Sequence, residues 1–209
     1  MIDLIGYEDT TATLPGEFAK LPVGGYVCNV VNAEITKSKA GNPMLVLYLD
    51  IVEGEFTRHF RDAFDRVRGS RPDIKWDNSG IYRQLIFDKA EKDKDGREKP
   101  KRVSRFFKGL LTCFEHSNEN FNFNPRTFDE QILRGKLIGF VFADEEYPKK
   151  DGSIGIRTVA KFPKTVDDIR SGNFTVPEMK KLADSATAPQ SSPTTRTNID
   201  SFELDDPPF

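Results

Sequence analysis

Met44-Leu45-Val46-Leu47-Tyr48-Leu49-Asp50-Ile51-Val52 carries a large aliphatic side chain at every second position. Alternate residues of a strand share one face, so this stretch predicts a β-strand with one fully apolar face, made by Leu45, Leu47, Leu49 and Ile51. The other face mixes apolar and polar side chains and presents Tyr48. We therefore expect a central strand that buries its leucines and leaves Tyr48 on the opposite side.

Four further segments, on both sides of this strand, also alternate and are predicted as strands: residues 26–37, 81–88, 137–144 and 154–162. Within the first, the inward face is expected to hold Val27, Val31, Ala33 and Ile35. Within the last, it is expected to hold Ile154, Ile156, Ala160 and Phe162. An Asp151-Gly152 turn predicts a hairpin between the final two strands.

Two helices interrupt the strands. Residues 105–116 place Phe106, Leu110, Cys113 and Phe114 at helical spacing, which predicts an amphipathic helix. Residues 56–69 fit a short basic helix less distinctly. The order strand, strand, strand, helix, strand, strand predicts a mostly β protein: a five-stranded OB-type Greek-key barrel with a helix between strands three and four. Such barrels bind oligonucleotides on the face of strands two and three and through the loops that join strands one to two and four to five.

The chain divides into three parts by composition. Residues 1–182 are predicted to form the OB-type domain, with a basic insertion at 57–104. Residues 183–198 contain no large apolar side chain and cannot offset the entropy of ordering, so a disordered linker is expected there. Residues 199–209 form an acidic tail.

Charge is segregated along the chain. Residues 57–108 hold 16 Lys and Arg against 9 Asp and Glu, whereas residues 183–209 hold 1 against 5. This asymmetry indicates a polyanion-binding body and a separate acidic arm, although unevenly distributed surface charge would give the same pattern.

The cellular setting follows from what the sequence lacks. No stretch approaches the roughly 20 apolar residues of a membrane span, and the first residues do not show a signal-peptide pattern. We expect a cytoplasmic protein, not bound to membrane, with Cys28 and Cys113 as reduced thiols. No cofactor is expected.

Binding of single strands without sequence preference needs cations for phosphates and aromatic rings on which bases stack. Such residues cluster in the predicted strands two and three, their loops and the basic segment. The predicted DNA-binding residues are Lys37, Lys39, Tyr48, Trp76, Tyr82, Arg83, Lys101, Arg102, Arg105, Lys149, Lys150, Arg157 and Lys161. Core packing of the rings and ordinary solvation of the cations remain the alternatives.

The tail ends in Asp205, Asp206, Pro207, Pro208 and Phe209. Pro208 restricts the backbone before one large apolar anchor, and the acids provide long-range attraction. A small apolar pocket flanked by Arg or Lys on a partner protein would bind such a peptide. These five residues are the predicted partner-binding site.

The acidic run closing on Pro-Phe after a polar linker resembles the tails of bacterial single-stranded DNA-binding proteins. The body is similar to phage-encoded members of that class at Gly24-Gly25-Tyr26-Val27, Ser38-Lys39-Ala40-Gly41-Asn42-Pro43-Met44-Leu45, Phe107-Lys108-Gly109-Leu110 and Asp144-Glu145-Glu146-Tyr147. The resemblance implies an OB-fold, cooperative coating of single-stranded DNA, and tail-mediated contact with replication and recombination enzymes. The long insertion at 57–104 departs from a compact OB-fold.

Other readings stay open. A recombination mediator or strand-annealing protein would share the DNA surface, and a homo-oligomer is compatible with either reading. Asp144, Glu145 and Glu146 could hold Mg²⁺ in a nuclease. Cys28, His59, Cys113 and His116 lack the paired short spacings of zinc modules, so no metal site is expected.

Overall fold

The computed structural model describes residues 20–88, 94–95, 97, 101–149 and 151–182. Its strands are β1 (Gly24–Lys37), β2 (Pro43–Ile51), β3 (Ile81–Leu85), β4 (Leu137–Pro148) and β5 (Ile154–Lys164). Its α-helices are α1 (His59–Arg68), α2 (Arg105–Ser117) and α3 (Val166–Arg170). Single 3-10 turns cover Asn78–Gly80 and Glu130–Leu133.

The five strands form one antiparallel sheet in the order β3-β2-β1-β4-β5. Each neighbouring pair is antiparallel, and the long connection that contains α2 returns the chain to place β4 beside β1. The mostly β class, the five strands and the helix between the third and fourth strands are confirmed. None of the helices in the described part of the chain is long and apolar enough to span a bilayer.

Strand β2 is buried on both faces. Leu45, Leu47, Leu49 and Ile51 are fully buried, as the alternation predicts. The opposite face is buried too, because Val46 and Tyr48 pack into the same core. The expectation that Tyr48 is presented on an outer face is therefore wrong.

Two β-bulges change which residues face inward. A register shift between Val30 and Asn32 places Cys28 and Val30 before it, and Ala33 after it, in the main core, whereas Val27 clusters with Val166 and Ile169 of α3. Ile35 shares the face of Ala33, because its cross-strand partner is the buried Leu45, but it is exposed near the end of the strand. The predicted face is therefore wrong for Val27, because the bulge inserts one residue and reverses the alternation across it, whereas Ala33 is buried as predicted.

A second register shift lies between Val141 and Phe142 of β4, where β5 places the extra residue Lys161. Ala160 is buried, as predicted, but Ile154, Ile156 and Phe162 are about half exposed, which corrects their predicted inward orientation. The shift reverses the alternation only at Phe162, whereas Ile154 and Ile156 lie towards the hairpin tip, beyond the part of β4 that pairs with β1.

Asp50 fixes the start of α1. Its carboxylate accepts hydrogen bonds from the backbone N–H groups of Phe60 (3.1 Å) and Arg61 (3.2 Å). These groups belong to the first turn of the helix, which has no earlier carbonyl to bond. The buried acid of β2 thus takes the place of a local N-cap, which Arg58 does not supply.

The core has two parts. The larger one lies around β2 and includes Phe60, Phe114, Phe140 and Phe142. A smaller cluster joins Val27 and Val141 of the sheet to Val166 and Ile169 of α3. This smaller cluster holds the segment after β5 against the sheet and positions the far end of β5.

Candidate nucleic-acid interface

The two outer strands of the sheet, β3 and β5, approach each other, so the sheet is strongly curled. A pocket of about 220 Å³ lies at this junction. We call it the seam pocket; its lining residues are Asn78, Ile81, Tyr82, Arg83, Glu145, Arg157, Val159, Ala160 and Lys161. Four of the predicted DNA-binding residues, Tyr82, Arg83, Arg157 and Lys161, therefore meet at one place, although they come from distant parts of the sequence.

Glu145 organises the cations of the seam pocket. Its Oε1 accepts hydrogen bonds from the Nε (3.0 Å) and Nη2 (2.8 Å) atoms of Arg157. The ammonium group of Lys161 donates to Oε2. Burial alone would raise the pKa of Glu145, but the hydrogen bonds from Lys161 and Arg157 outweigh burial and hold the pKa below its usual value. The carboxylate is therefore ionised at neutral pH and fixes both cations.

Arg83 contributes the third cation from the opposite side. Its guanidinium donates to Asn78 Oδ1 at 3.3 Å, a long contact. With three cations and one carboxylate among its charged lining residues, the seam pocket is net positive. Such a pocket attracts phosphate groups.

Tyr82 is one of the residues that line the pocket. Its ring packs on Phe140 with 4.9 Å between centroids, and its hydroxyl donates to Gln84 Oε1 at 3.0 Å. Burial, with a smaller contribution from Cys113, raises the pKa of Tyr82 to about 12. Tyr82 therefore stays neutral and partly core-packed, with only part of its ring facing the pocket.

Tyr147 is the aromatic residue that the sequence analysis missed as a site residue. The Arg157 guanidinium carbon lies 5.1 Å from the centre of its ring, a cation–π contact. Its cross-strand partner is Gly155, where an added Cβ would lie 2.7 Å from the ring. The Tyr147 ring therefore covers Gly155, which has no side chain. The ring lies beside the seam pocket and is partly exposed. The sequence predicts the Asp151-Gly152 turn, but the register that pairs Tyr147 with Gly155 follows only from the structure.

Two predicted stacking residues are core residues. Tyr48 is 2 % exposed and its hydroxyl donates to Glu34 Oε1 at 2.7 Å. Trp76 is 4 % exposed and its indole N–H donates to the Leu49 carbonyl at 3.1 Å. Neither ring offers a face to a base, so their assignment to the DNA-binding surface is wrong.

The other predicted cations lie on separate exposed segments. Lys37 ends β1 and Lys39 lies in the β1–β2 turn, whereas Lys149 lies in the β4–β5 hairpin. A third exposed group precedes and begins α2, formed by Lys101, Arg102 and Arg105. Lys150 and the tail residues Asp205, Asp206, Pro207, Pro208 and Phe209 lie outside the described residues.

The three consecutive acids of β4 do not converge on one point. Asp144 pairs with Lys20 at 2.7 Å and accepts from the Thr158 hydroxyl at 2.8 Å. Glu145 is bound in the seam pocket, and Glu146 accepts from the backbone N–H of Leu182 at 2.9 Å. Within the described ranges, no group of three or more His, Cys, Asp and Glu residues could hold a metal ion. The described structure therefore does not bring these three carboxylates together at one site.

Part of the chain matches a known family model. Residues 9–99 match a family model described as "Protein of unknown function (DUF669)". The matched range includes β1, β2, α1 and β3 and stops before α2, β4 and β5, so it covers only one side of the seam pocket. No curated protein matches this chain.

Proposed function

We propose that this chain is a sequence-independent single-stranded DNA-binding protein with an OB-type barrel, which coats and protects single strands during phage replication or recombination. The observation that carries the proposal is the seam pocket, which collects Arg83, Arg157 and Lys161 next to the rings of Tyr82 and Tyr147. Cations and rings side by side are what a single strand needs from a protein that does not read its sequence.

The strand order supports an OB-type barrel. A fourth strand that returns by a long connection to lie beside the first, in the spatial order 4-1-2-3, is the Greek-key arrangement, and it is the order found here. The OB-fold is a five-stranded, partly open Greek-key barrel. The approach of β3 to β5 is in line with such partial closure.

The chemistry of the pocket supports a polyanion as ligand. A phosphate group could replace the Glu145 carboxylate as acceptor for Arg157 and Lys161, because both anions accept hydrogen bonds from a guanidinium in the same planar geometry. Arg83 approaches from the other strand. Tyr147 would stack on the base attached to that phosphate.

The acidic tail is the proposed partner-binding element. Asp205, Asp206, Pro207, Pro208 and Phe209 combine apolar anchors with charges that steer association with a basic partner. Deletion of residues 199–209 should abolish capture of replication and recombination enzymes while leaving affinity for DNA equal or higher.

The DNA proposal is tested by fluorescence anisotropy with labelled oligo-dT, using duplex DNA as comparison. The full chain is expected to prefer oligo-dT. The Arg83→Gln, Lys161→Gln double variant should bind more weakly and lower the slope of log affinity against log salt by about 1.4, since each phosphate contact on a single strand contributes roughly 0.7.

The matched control is the Arg71→Gln, Arg134→Gln variant, which removes the same charge from exposed positions outside the pocket. It should retain the affinity and most of the salt slope. An equal loss of affinity for oligo-dT in both double variants would show that binding depends only on the net charge of the protein. Equal affinity for duplex and oligo-dT would contradict the proposal.

A further inference from the structure

A second concave surface lies along α2, away from the seam pocket. We call it the α2 groove; its volume is about 330 Å³, and its apolar walls are Val103, Phe107, Leu111, Phe123, Pro125 and Phe128. This volume is at the lower end of the range of pockets that bury a ligand. The α2 groove shares no lining residue with the seam pocket.

Aromatic packing holds the groove open. Phe128 meets both Phe107 and Phe123 edge-to-face, with centroids 5.7 and 6.0 Å apart. Phe121 continues the row from Phe123 to Phe114 of α2, with centroids 6.1 and 6.0 Å apart. The wall formed by residues 121–128 is therefore fixed to the helix by ring contacts, and the groove between them has a defined shape.

The two ends of the groove carry opposite charges. Lys108, Leu111, Thr112 and Glu115 line it along α2, so a cation marks one end and an acid the other. The cationic end lies at the N-terminus of the helix, where the residues 101–108 hold four Lys and Arg and no acid. The helix dipole adds positive potential at this end.

We propose that the α2 groove binds residues 199–209 of the same chain. This segment combines four acids with apolar side chains at Ile199, Phe202, Leu204 and Phe209. Its acids complement the cationic end of the groove, and its rings match the aromatic walls. The inference does not depend on DNA binding, because it concerns a different surface.

The connection is long enough for this contact. Residues 183–198 could span up to about 55 Å when extended, at roughly 3.3–3.6 Å per residue. A domain of about 160 residues has a diameter on the order of 40 Å, from the scaling of the radius of gyration. Residues 199–209 can therefore reach the groove wherever Leu182 lies on the surface of the domain.

The test uses the full chain with the photoreactive p-benzoylphenylalanine in place of Phe202. Irradiation followed by mass spectrometry maps where the segment lies. Cross-links are expected in residues 103–128, and their yield should fall several-fold in 1 M NaCl because salt screens the attraction between charges. A mixture of ¹⁵N-labelled and unlabelled chains distinguishes contacts within a chain from contacts between chains.

Thr112→Trp fills the groove with neutral bulk and should reduce the cross-links at least fivefold. Thr36→Trp, at the exposed end of β1, is the matched control and should leave them unchanged. Cross-links that map to residues 145–161, that form only between differently labelled chains, or that ignore Thr112→Trp would each overturn the proposal, as would their complete absence.

Discussion

The guanidinium of Arg157 donates two hydrogen bonds, of 3.0 and 2.8 Å, to one oxygen of Glu145, its cross-strand partner on β4. The second oxygen of Glu145 binds Lys161. One carboxylate therefore orients two cations of the seam pocket and also neutralises part of their charge. A DNA phosphate has to displace this carboxylate before it can bind both cations.

Glu145→Gln should raise the affinity for single-stranded DNA. The amide keeps the shape of the side chain but removes the competing charge, so Arg157 and Lys161 become available to phosphate. Oligo-dT titrations at several salt concentrations should show tighter binding and a steeper salt dependence than the native chain. Glu119→Gln removes an exposed acid outside the pocket and is the control. If Glu145→Gln weakened binding while the chain stayed folded, the carboxylate would be a positioning group and not a competitor.

The same carboxylate makes stability depend on pH. Burial raises the pKa of Glu145, but the hydrogen bonds from Lys161 and Arg157 outweigh it, so the folded-state pKa lies below the unfolded one. Its contribution is therefore present above the unfolded value of about 4.3 and is lost as pH falls through the folded value. After allowance for solvent screening of these partly exposed groups we expect this contribution to the free energy of unfolding to be about 1 kcal/mol or less. Urea unfolding of the native chain and Glu145→Gln should differ at pH 7 and converge at low pH; a constant difference would contradict this assignment.

Tyr147→Ala should weaken binding of oligo-dT by about 1–3 kcal/mol, a factor of roughly 5 to 150, because a base loses its stacking partner. Tyr147→Phe keeps the ring and should bind like the native chain. The ring covers Gly155, so circular dichroism should verify that Tyr147→Ala remains folded. Unchanged affinity in a folded Tyr147→Ala protein would remove Tyr147 from the proposed interface.

Trp76 should not report DNA binding. It is the single tryptophan of the chain, so its emission is unambiguous. The ring lies against Phe64 at 5.4 Å between centroids and is 4 % exposed. We expect a blue-shifted emission that resists acrylamide and changes little when oligo-dT is added. Strong quenching by oligo-dT would mean that Trp76 becomes exposed upon binding.

Alternation of apolar residues in the sequence was sufficient to predict the strands, because a strand that buries one face needs an apolar side chain at every second position. It could not predict the bulges at Val31 and Lys161, since one extra residue leaves no mark in composition. For this reason the strand positions were right while Val27 and Phe162 were assigned to the wrong face.

In the candidate site too, some residues could be predicted from the local sequence and others depended on the tertiary fold. Arg83, Arg157 and Lys161 were predicted because cations near strand residues are visible in the sequence. Trp76 was misassigned because its partner, the carbonyl of Leu49, lies 27 residues away along the chain. A contact of that kind depends on the tertiary fold, and the surrounding sequence carries no periodicity that would reveal it.

Two glycines should respond in opposite directions to alanine. At Gly139 of β4, an added Cβ would lie 2.5 Å from the backbone oxygen of Thr165 and 2.5 Å from the side chain of Ile169. A backbone carbonyl cannot rotate away as a side chain can, so Gly139→Ala should force α3 away from the sheet and cost about 1–3 kcal/mol.

Gly109→Ala provides the contrast, because Gly109 lies inside α2 and, apart from adjacent residues and the backbone of the helix itself, no atom lies within 4 Å of an added Cβ. Alanine there restricts the unfolded chain and suits a helix, so unfolding should become roughly 0.4–1 kcal/mol less favourable. Urea denaturation should move the midpoint of Gly139→Ala down and that of Gly109→Ala up at an unchanged m-value. A native-like denaturation midpoint for Gly139→Ala would show that α3 packs less tightly on β4 than the short distance from the added Cβ to the Thr165 carbonyl oxygen implies.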